Sequence, residues 1–290
     1  MKNLLIYANC HGEILKLMFE HNNITCSNYN INYITNYESL HNTTMIEKHK
    51  LLFNSCDIFI YQHLNNSYND SPYDIHNILR IINPECKIIK INYYRFKGFW
   101  YNNSYLPFKH KHFSNYHNYG LHEDFTNYNT DNIGDIINKL NNINIDLLAY
   151  AKYFKESLEK LKELDSNSDI KMYDFFINNF QKKLLFNDYQ HPTLYFFYEM
   201  FRQLIKQIEN IDITVEDENF IRLLESADLT EWAIPILPII RKILKLNIPE
   251  KQYIFSNSVQ GFTAYLSVYE YYGIRLSEEN YNTFCLINEI

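Results

Sequence analysis

The sequence predicts an α/β fold: a parallel sheet with helices on both faces, followed by a mainly helical C-terminal part. Three observations predict it. Short apolar runs at residues 3–8, 56–61 and 87–92 have the length of buried strands. Segments with apolar residues at helical spacing alternate with them, which is the pattern of βαβ units. The runs lack strict apolar–polar alternation, so both sides of each strand meet protein, as in a sheet covered on both faces. With 290 residues, 46% of them hydrophobic and 21% charged, the chain can bury a core of useful size.

The elements follow in order. Residues 3–8 form the first strand, and Asn9-Cys10-His11-Gly12 makes a tight turn. From Glu13, the positions Ile14, Leu15, Leu17, Met18 and Phe19 mark a helix that ends at His21-Asn22-Asn23. A second strand is expected near Ile31–Ile34 and a helix over Thr44–Leu52. Cys56–Tyr61 reads as a buried strand, followed by a polar loop from Gln62 to Ser71. Tyr73–Ile82 reads as a helix, and Pro84 precedes a strand at Lys87–Asn92. Residues 101–132 lose the pattern and form a long loop rich in Asn, Tyr and His. Helices are expected at 133–140, 147–164, 171–186 and 192–208, the last opened by Pro192, which suits a first helical turn. The division expected is an α/β domain at 1–210, carrying the long loop, and a mainly helical extension at 211–290 packed on it.

Composition excludes several functions. A net charge of -7 argues against a broad nucleic-acid surface. No stretch reaches the roughly 18 apolar residues of a transmembrane helix, and the apolar start is too short for a signal peptide. Five cysteines at unpaired spacings (Cys10, Cys26, Cys56, Cys86, Cys285) argue against a disulfide framework and for a reducing, cytoplasmic setting. The 26 Tyr and 20 Phe residues fit the codon usage of an AT-rich coding sequence, with the rings spent on core packing.

Two places can carry chemistry. Cys10 stands at a strand-to-helix turn, on the C-terminal edge of the sheet where ligands gather in open α/β folds. The helix N-terminus there offers free N–H groups and partial positive charge, which favour a thiolate and an oxyanion. Gly12 lets the backbone approach a ligand. A free cysteine is also a common small core residue, so position alone leaves both roles open. The second place is Asp188-Tyr189-Gln190-His191, just before the helix led by Pro192. Asp188 can hold one ring nitrogen of His191 and leave the other as a base. The plain alternative is an N-cap aspartate beside an incidental histidine. A nucleophile after strand one paired with a late Asp-x-x-His is the arrangement of SGNH-type hydrolases, with Cys in place of Ser.

A closer resemblance lies in three segments. Ile6-Tyr7-Ala8-Asn9-Cys10-His11-Gly12 resembles the Gly-Asn-Cys-Gln opening of the WcbI family of polysaccharide-biosynthesis acetyltransferases, with Ala8 and His11 departing from that pattern. Cys56–His63 resembles that family's second strand, which ends in a Gln, here Gln62. Leu185–Thr193 is similar to its late His-Pro segment. The tail segments Ile234-Pro235-Ile236-Leu237-Pro238 and Gly261-Phe262-Thr263-Ala264-Tyr265 also resemble such proteins. The resemblance implies a three-layer SGNH/flavodoxin-like fold, coenzyme A binding and acetyl transfer from acetyl-CoA to a sugar or nucleotide sugar of a surface glycan.

On that reading Cys10 takes the acetyl group by thioester exchange, and His191, oriented by Asp188, deprotonates the acceptor. Asn9, His11, Gly12 and Gln62 are expected to bind the oxyanion or substrate. If the usual Gln serves the acyl oxygen, His11 must do so as an N–H donor. Direct transfer with His191 as base and Cys10 as bystander is the other route. Lys109 and Lys111 are candidate contacts for the CoA phosphates. His110, His112, His117 and His122 match no common ligand spacing, and no metal is expected. Competing functions are a glycan esterase or deacetylase of the SGNH type, whose signs would be a Ser at position 10 and an export signal, and a non-catalytic glycan- or nucleotide-binding module. A Rossmann dinucleotide site is disfavoured, since residues 9–12 carry no G-x-G-x-x-G.

Overall fold

The computed structural model of the protein describes residues 1–37, 45–62, 75–101, 145–187, 189–213, 236 and 238–248. Within them the order is β1 (Lys2–Ala8), α1 (Cys10–His21), β2 (Tyr29–Thr35), α2 (Met45–Ser55), β3 (Ile58–Gln62), α3 (Ile75–Ile81) and β4 (Lys87–Ile91). Then come α4 (Leu147–Ser166), α5 (Tyr173–Asn179), α6 (Leu194–Glu209) and α7 (Pro238–Ile243). The expected loop beyond residue 101, the helix at 133–140 and the tail segment at 261–265 lie outside the described residues.

The four strands pair in parallel in the order β2-β1-β3-β4. Leu4 to Ala8 of the central β1 are buried without interruption, so both of its faces meet protein. On one face Leu5 and Tyr7 join Phe59 of β3, Phe53 of α2 and Ile75 and Ile78 of α3. On the other face Ile6 and Ala8 lie against Gly12 of α1. Helices therefore cover both sides of a parallel sheet, as the apolar runs predicted.

Chain contacts divide the molecule into two units. One comprises residues 1–94, 162–176 and 191–229, and the other 95–161, 177–190 and 230–290. The first unit holds the sheet, and α6 packs on α1 within it. Phe197, Met200, Phe201, Leu204 and Ile205 form the buried stripe of α6 at helical spacing. Each such side chain contributes about 1.5–3 kcal/mol of burial, far more than helix propensity does. Near the start of the pair, Phe197 meets the His11 ring at 5.0 Å, and further along Phe201 meets Phe19 at 5.0 Å. Both contacts advance in the same direction, so α1 and α6 begin at the same end.

Asp165 ties the last turn of α4 to the first turn of α5. It is buried and accepts hydrogen bonds from the Tyr94 hydroxyl (2.9 Å), Met172 N–H (2.8 Å) and Tyr173 N–H (2.6 Å). In the second unit Phe96, Phe99, Tyr150, Phe154, Phe180 and Phe186 build an aromatic core, where the abundant rings are used for packing. Of the C-terminal part, residues 238–248 hold α7, with Ile239, Ile240 and Ile243 buried.

Three of the differences in boundary have a visible local cause. Helix α1 starts at Cys10 rather than Glu13, because Asn9 caps it and draws residues 10–12 into the first turn. Helix α5 stops at Asn179 instead of running to 186, since Lys182 and Lys183 N–H both turn back onto the Asn179 carbonyl. Helix α6 starts at Leu194 with Thr193 as its N-cap, so Pro192 precedes the helix rather than opening its first turn.

Candidate active site

In a sheet ordered 2-1-3-4, the connections leaving β1 and β3 diverge, and a crevice opens between the C-terminal ends of those two strands. The segment after β1 carries Asn9 and Cys10, and β3 ends on Gln62. Asn36 follows β2, and Asn92 and Tyr93 follow β4, at the same edge. Cys10 is the first residue of α1 and is half-buried.

Asn9 organises this corner through four hydrogen bonds. Its side-chain oxygen accepts from His11 N–H at 3.0 Å, which caps α1. Its carbonyl accepts from Gly12 N–H at 2.8 Å and from the Tyr33 hydroxyl at 2.8 Å. Its own N–H donates to Gln62 Oε1 at 3.0 Å. Asn9 thus uses its N–H, its carbonyl and its side-chain oxygen to shape the turn. The same bonds use the N–H groups of His11 and Gly12, leaving that of Cys10 without a hydrogen bond among the described residues.

The bond from Asn9 also fixes the Gln62 amide. Only the oxygen of that amide can accept from an N–H, so Nε2 must face the other way. Gln62 is 2% exposed, and its Nε2 has no hydrogen-bond partner among the described residues. A buried amide N–H with no acceptor costs about 1–3 kcal/mol.

The His11 imidazole is 1% exposed and packs between Tyr93 (centroids 4.8 Å apart) and Phe197 (5.0 Å). Its ring therefore lies in an aromatic slot joining α1, the end of β4 and the start of α6. Gly12 lies where a Cβ would be 2.6 Å from Tyr33 Cε2 and 2.8 Å from Ala8 Cβ, so it serves close packing of α1 on the sheet. Burial pushes the Tyr33 phenol up to about 12, and the hydroxyl stays a donor to Asn9 at neutral pH.

His191 is half-buried and lies two residues before Thr193, the N-cap of α6. Because α6 begins at the same end as α1, the segment bearing His191 enters from the side where Cys10 sits. Asp188, Lys109 and Lys111, together with His110, His112, His117 and His122, lie outside the described residues. Among the described residues no group of three or more His, Cys, Asp or Glu could hold a metal ion, and no helix is long and apolar enough to cross a membrane.

Sequence reasoning missed Tyr33 and Tyr93. Tyr33 sits mid-strand and Tyr93 just past a strand end, and only the pairing of β2 with β1 and β4 with β3 brings them to this corner. Asn36 was also missed; its side chain donates to the Gln62 carbonyl at 3.2 Å and its N–H to the Ala8 carbonyl at 2.9 Å. A polar residue just after a predicted strand is the signal that could have found it.

Among solved structures, one described as WcbI, a polysaccharide biosynthesis enzyme, in its native form without a disulfide bond between coenzyme A and a cysteine of that protein, is similar to this chain. The identity is 15% over 71% of this chain and 69% of that one, with a TM-score of 0.49. No curated protein matches the sequence. The family model for the polysaccharide biosynthesis enzyme WcbI matches residues 3–210, a span that includes the sheet, the Cys10 turn, Gln62 and the His191 segment. By that match the chain belongs to the WcbI family of polysaccharide biosynthesis enzymes.

Proposed function

We propose that the protein transfers an acetyl group from acetyl-CoA to a hydroxyl or amine of a sugar or nucleotide sugar, with Cys10 as the acyl-accepting nucleophile and His191 as the base. The observation that carries this reading is a pair of donors without a hydrogen-bond partner among the described residues: the Cys10 N–H at the start of α1 and the buried Nε2 of Gln62, whose Oε1 holds the residue preceding the cysteine. Acyl transfer needs donors of this kind where a carbonyl oxygen becomes an oxyanion. Polysaccharide biosynthesis, the family's role, supplies the sugar acceptor, and coenzyme A follows from the resemblance of residues 6–12 and 185–193 to that family.

In the first half-reaction Cys10 Sγ attacks the thioester carbonyl, and the thiol of the donor leaves as the acetyl group passes to sulfur. One thioester replaces another, so little free energy is lost. In the second, His191 removes the proton of the acceptor hydroxyl or amine, which attacks the acetyl carbon and releases the Cys10 thiolate. Asp188 orients His191, and Lys109 and Lys111 contact the donor phosphates. Gln62 Nε2 is closed to solvent, so the acyl group must part the side chains covering it. A cytoplasmic location fits a reaction that draws on acetyl-CoA.

The test incubates the protein with acetyl-CoA and a panel of sugars and nucleotide sugars, following free CoA thiol and acetylated sugar together. The expected result is matched release and transfer, falling about 10²–10⁴-fold in His191→Ala and to background in Cys10→Ala. An acetyl adduct on the peptide containing Cys10 is expected when the acceptor is omitted. Full activity in Cys10→Ala overturns the covalent route. No thiol release and no acetylated product with any acceptor overturns acetyl transfer itself.

A further inference from the structure

Cys56 and Cys86 lie at the edge of the sheet opposite Cys10, where β3 and β4 begin. Their sulfurs are 3.5 Å apart although the residues are 30 positions apart in the chain. Cys56 is buried and Cys86 is half-exposed. Cys56 lies two residues before Ile58 and Cys86 one residue before Lys87, and Ile58 pairs with Lys87 across the two strands. The Lys87 N–H continues that ladder to the Asp57 carbonyl at 2.9 Å, so the backbones remain adjacent at the cysteines. Strand spacing and rise then place the two Cα atoms roughly 6 Å apart, within the window of about 4.4–6.8 Å that disulfides use. To bond, the sulfurs must approach from 3.5 Å to about 2.05 Å.

We propose that Cys56 and Cys86 form a redox-active dithiol, oxidised to an intramolecular disulfide by low-molecular-weight disulfides of the glutathione type. The step balances as two exchanges. The Cys86 thiolate, the more accessible of the two, attacks one sulfur of the small disulfide, forms a mixed disulfide and releases one small thiol. The Cys56 thiolate then attacks Cys86 Sγ, and the second small thiol leaves. Two protein thiols and one disulfide give one protein disulfide and two small thiols.

Exposure sets this order and acidity opposes it: Cys56 is buried, and Cys86, the sulfur that can be reached, is the weaker acid of the pair. The hydrogen bond between the two sulfurs is the largest influence holding the Cys56 thiol below its ordinary value. That same bond, with burial and the neighbouring charge of Cys56, pushes Cys86 up. Once Cys86 carries the small thiol, the buried Cys56 is the sulfur beside it, and the bond it must attack is within reach. Cys26 is exposed and Cys10 is half-buried on the opposite edge, and neither has a cysteine partner among the described residues. Those two are expected to stop at mixed disulfides. The dithiol lies apart from the proposed acyl site, so it stands or falls separately from acetyl transfer.

The test treats the full-length reduced protein with oxidised glutathione and maps it after thiol blocking and tryptic digestion. Cys56 falls in the peptide 51–80 and Cys86 in 81–87, so the disulfide joins two separate peptides. The expected result is that joined pair in the wild type, dispersed by dithiothreitol. Cys56→Ser should instead accumulate the glutathione adduct on peptide 81–87, because no sulfur remains to displace it. The oxidised wild type should melt several degrees higher, since a cross-link closing a loop of this length restricts the unfolded chain. A wild type that keeps glutathione on Cys86 with Cys56 reduced overturns the proposal. So does a joined pair made mainly between Cys10 or Cys26 and another cysteine.

Discussion

A methyl group on Gly12 would sit 2.6 Å from Tyr33 Cε2, 2.8 Å from Ala8 Cβ and 3.1 Å from Ile6 Cγ2. The Tyr33 ring can swing a little, but only by loosening its bond to the Asn9 carbonyl. Ala8 Cβ cannot rotate away, so its backbone must move. Two effects compete in Gly12→Ala. Helix propensity favours Ala by about 1 kcal/mol, and overpacking costs about 1–3 kcal/mol. Overpacking prevails where a backbone-anchored atom is the obstacle, so the variant is expected to lose about 1–2 kcal/mol. Urea unfolding followed by circular dichroism measures this, and a midpoint equal to or above the wild type would show that α1 is not pinned here. Gly12 was expected to admit a ligand; the contacts give it the added task of seating α1 on β1 and β2.

At the scale of the element, α1 depends on Asn9 for its start. Asn9→Ala removes the acceptor for His11 N–H and should cost about 1 kcal/mol, while Asn9→Ser, which keeps a capping oxygen, should cost much less. If the helix start positions Cys10, acetyl transfer should fall in Asn9→Ala and recover in Asn9→Ser, with the loss in kcat rather than KM. Equal activity in both variants would separate the cap from the chemistry. The start of this helix was hard to read because His11 and Gly12 are poor helix signals, and the cap that overrides them depends on a hydrogen bond rather than on periodicity. The strands were easier. Leu4–Ala8 and Ile58–Ile60 are buried on both sides, so their apolar runs are unbroken and announce themselves. Edge strand β2, with Tyr29 and Ile34 buried but Asn30 exposed, left only a short signal at 31–34. Cys10, Gln62 and His191 drew notice in the sequence because each lies at, or within three residues of, the end of a strand or the start of a helix. The Cys56–Cys86 contact was not, since parallel pairing joins positions that no local spacing connects.

At the scale of the molecule, two half-buried tyrosines among the described residues serve as hydroxyl donors that stay protonated. Tyr33 in the sheet-bearing unit and Tyr153 in the aromatic unit are both pushed up to about 12, chiefly by burial. Each donates to a carbonyl, Tyr33 to Asn9 at 2.8 Å and Tyr153 to Trp100 at 3.1 Å. The unfolded chain releases these protons near pH 10, while the folded chain holds them until about pH 12. Between those values the folded state binds more protons than the unfolded one, so stability falls as pH rises. Their contribution is complete below pH 10 and gone above pH 12. The urea midpoint is therefore expected to decline steeply from pH 10 to 12. Lysines titrate in the same window, so the decisive measurement is the difference between wild type and single variants. Tyr33→Phe and Tyr153→Phe should each start less stable at pH 8, having lost a hydrogen bond, and then decline less steeply toward pH 12. A decline as steep in both variants as in the wild type would show that alkaline unfolding is driven by other groups.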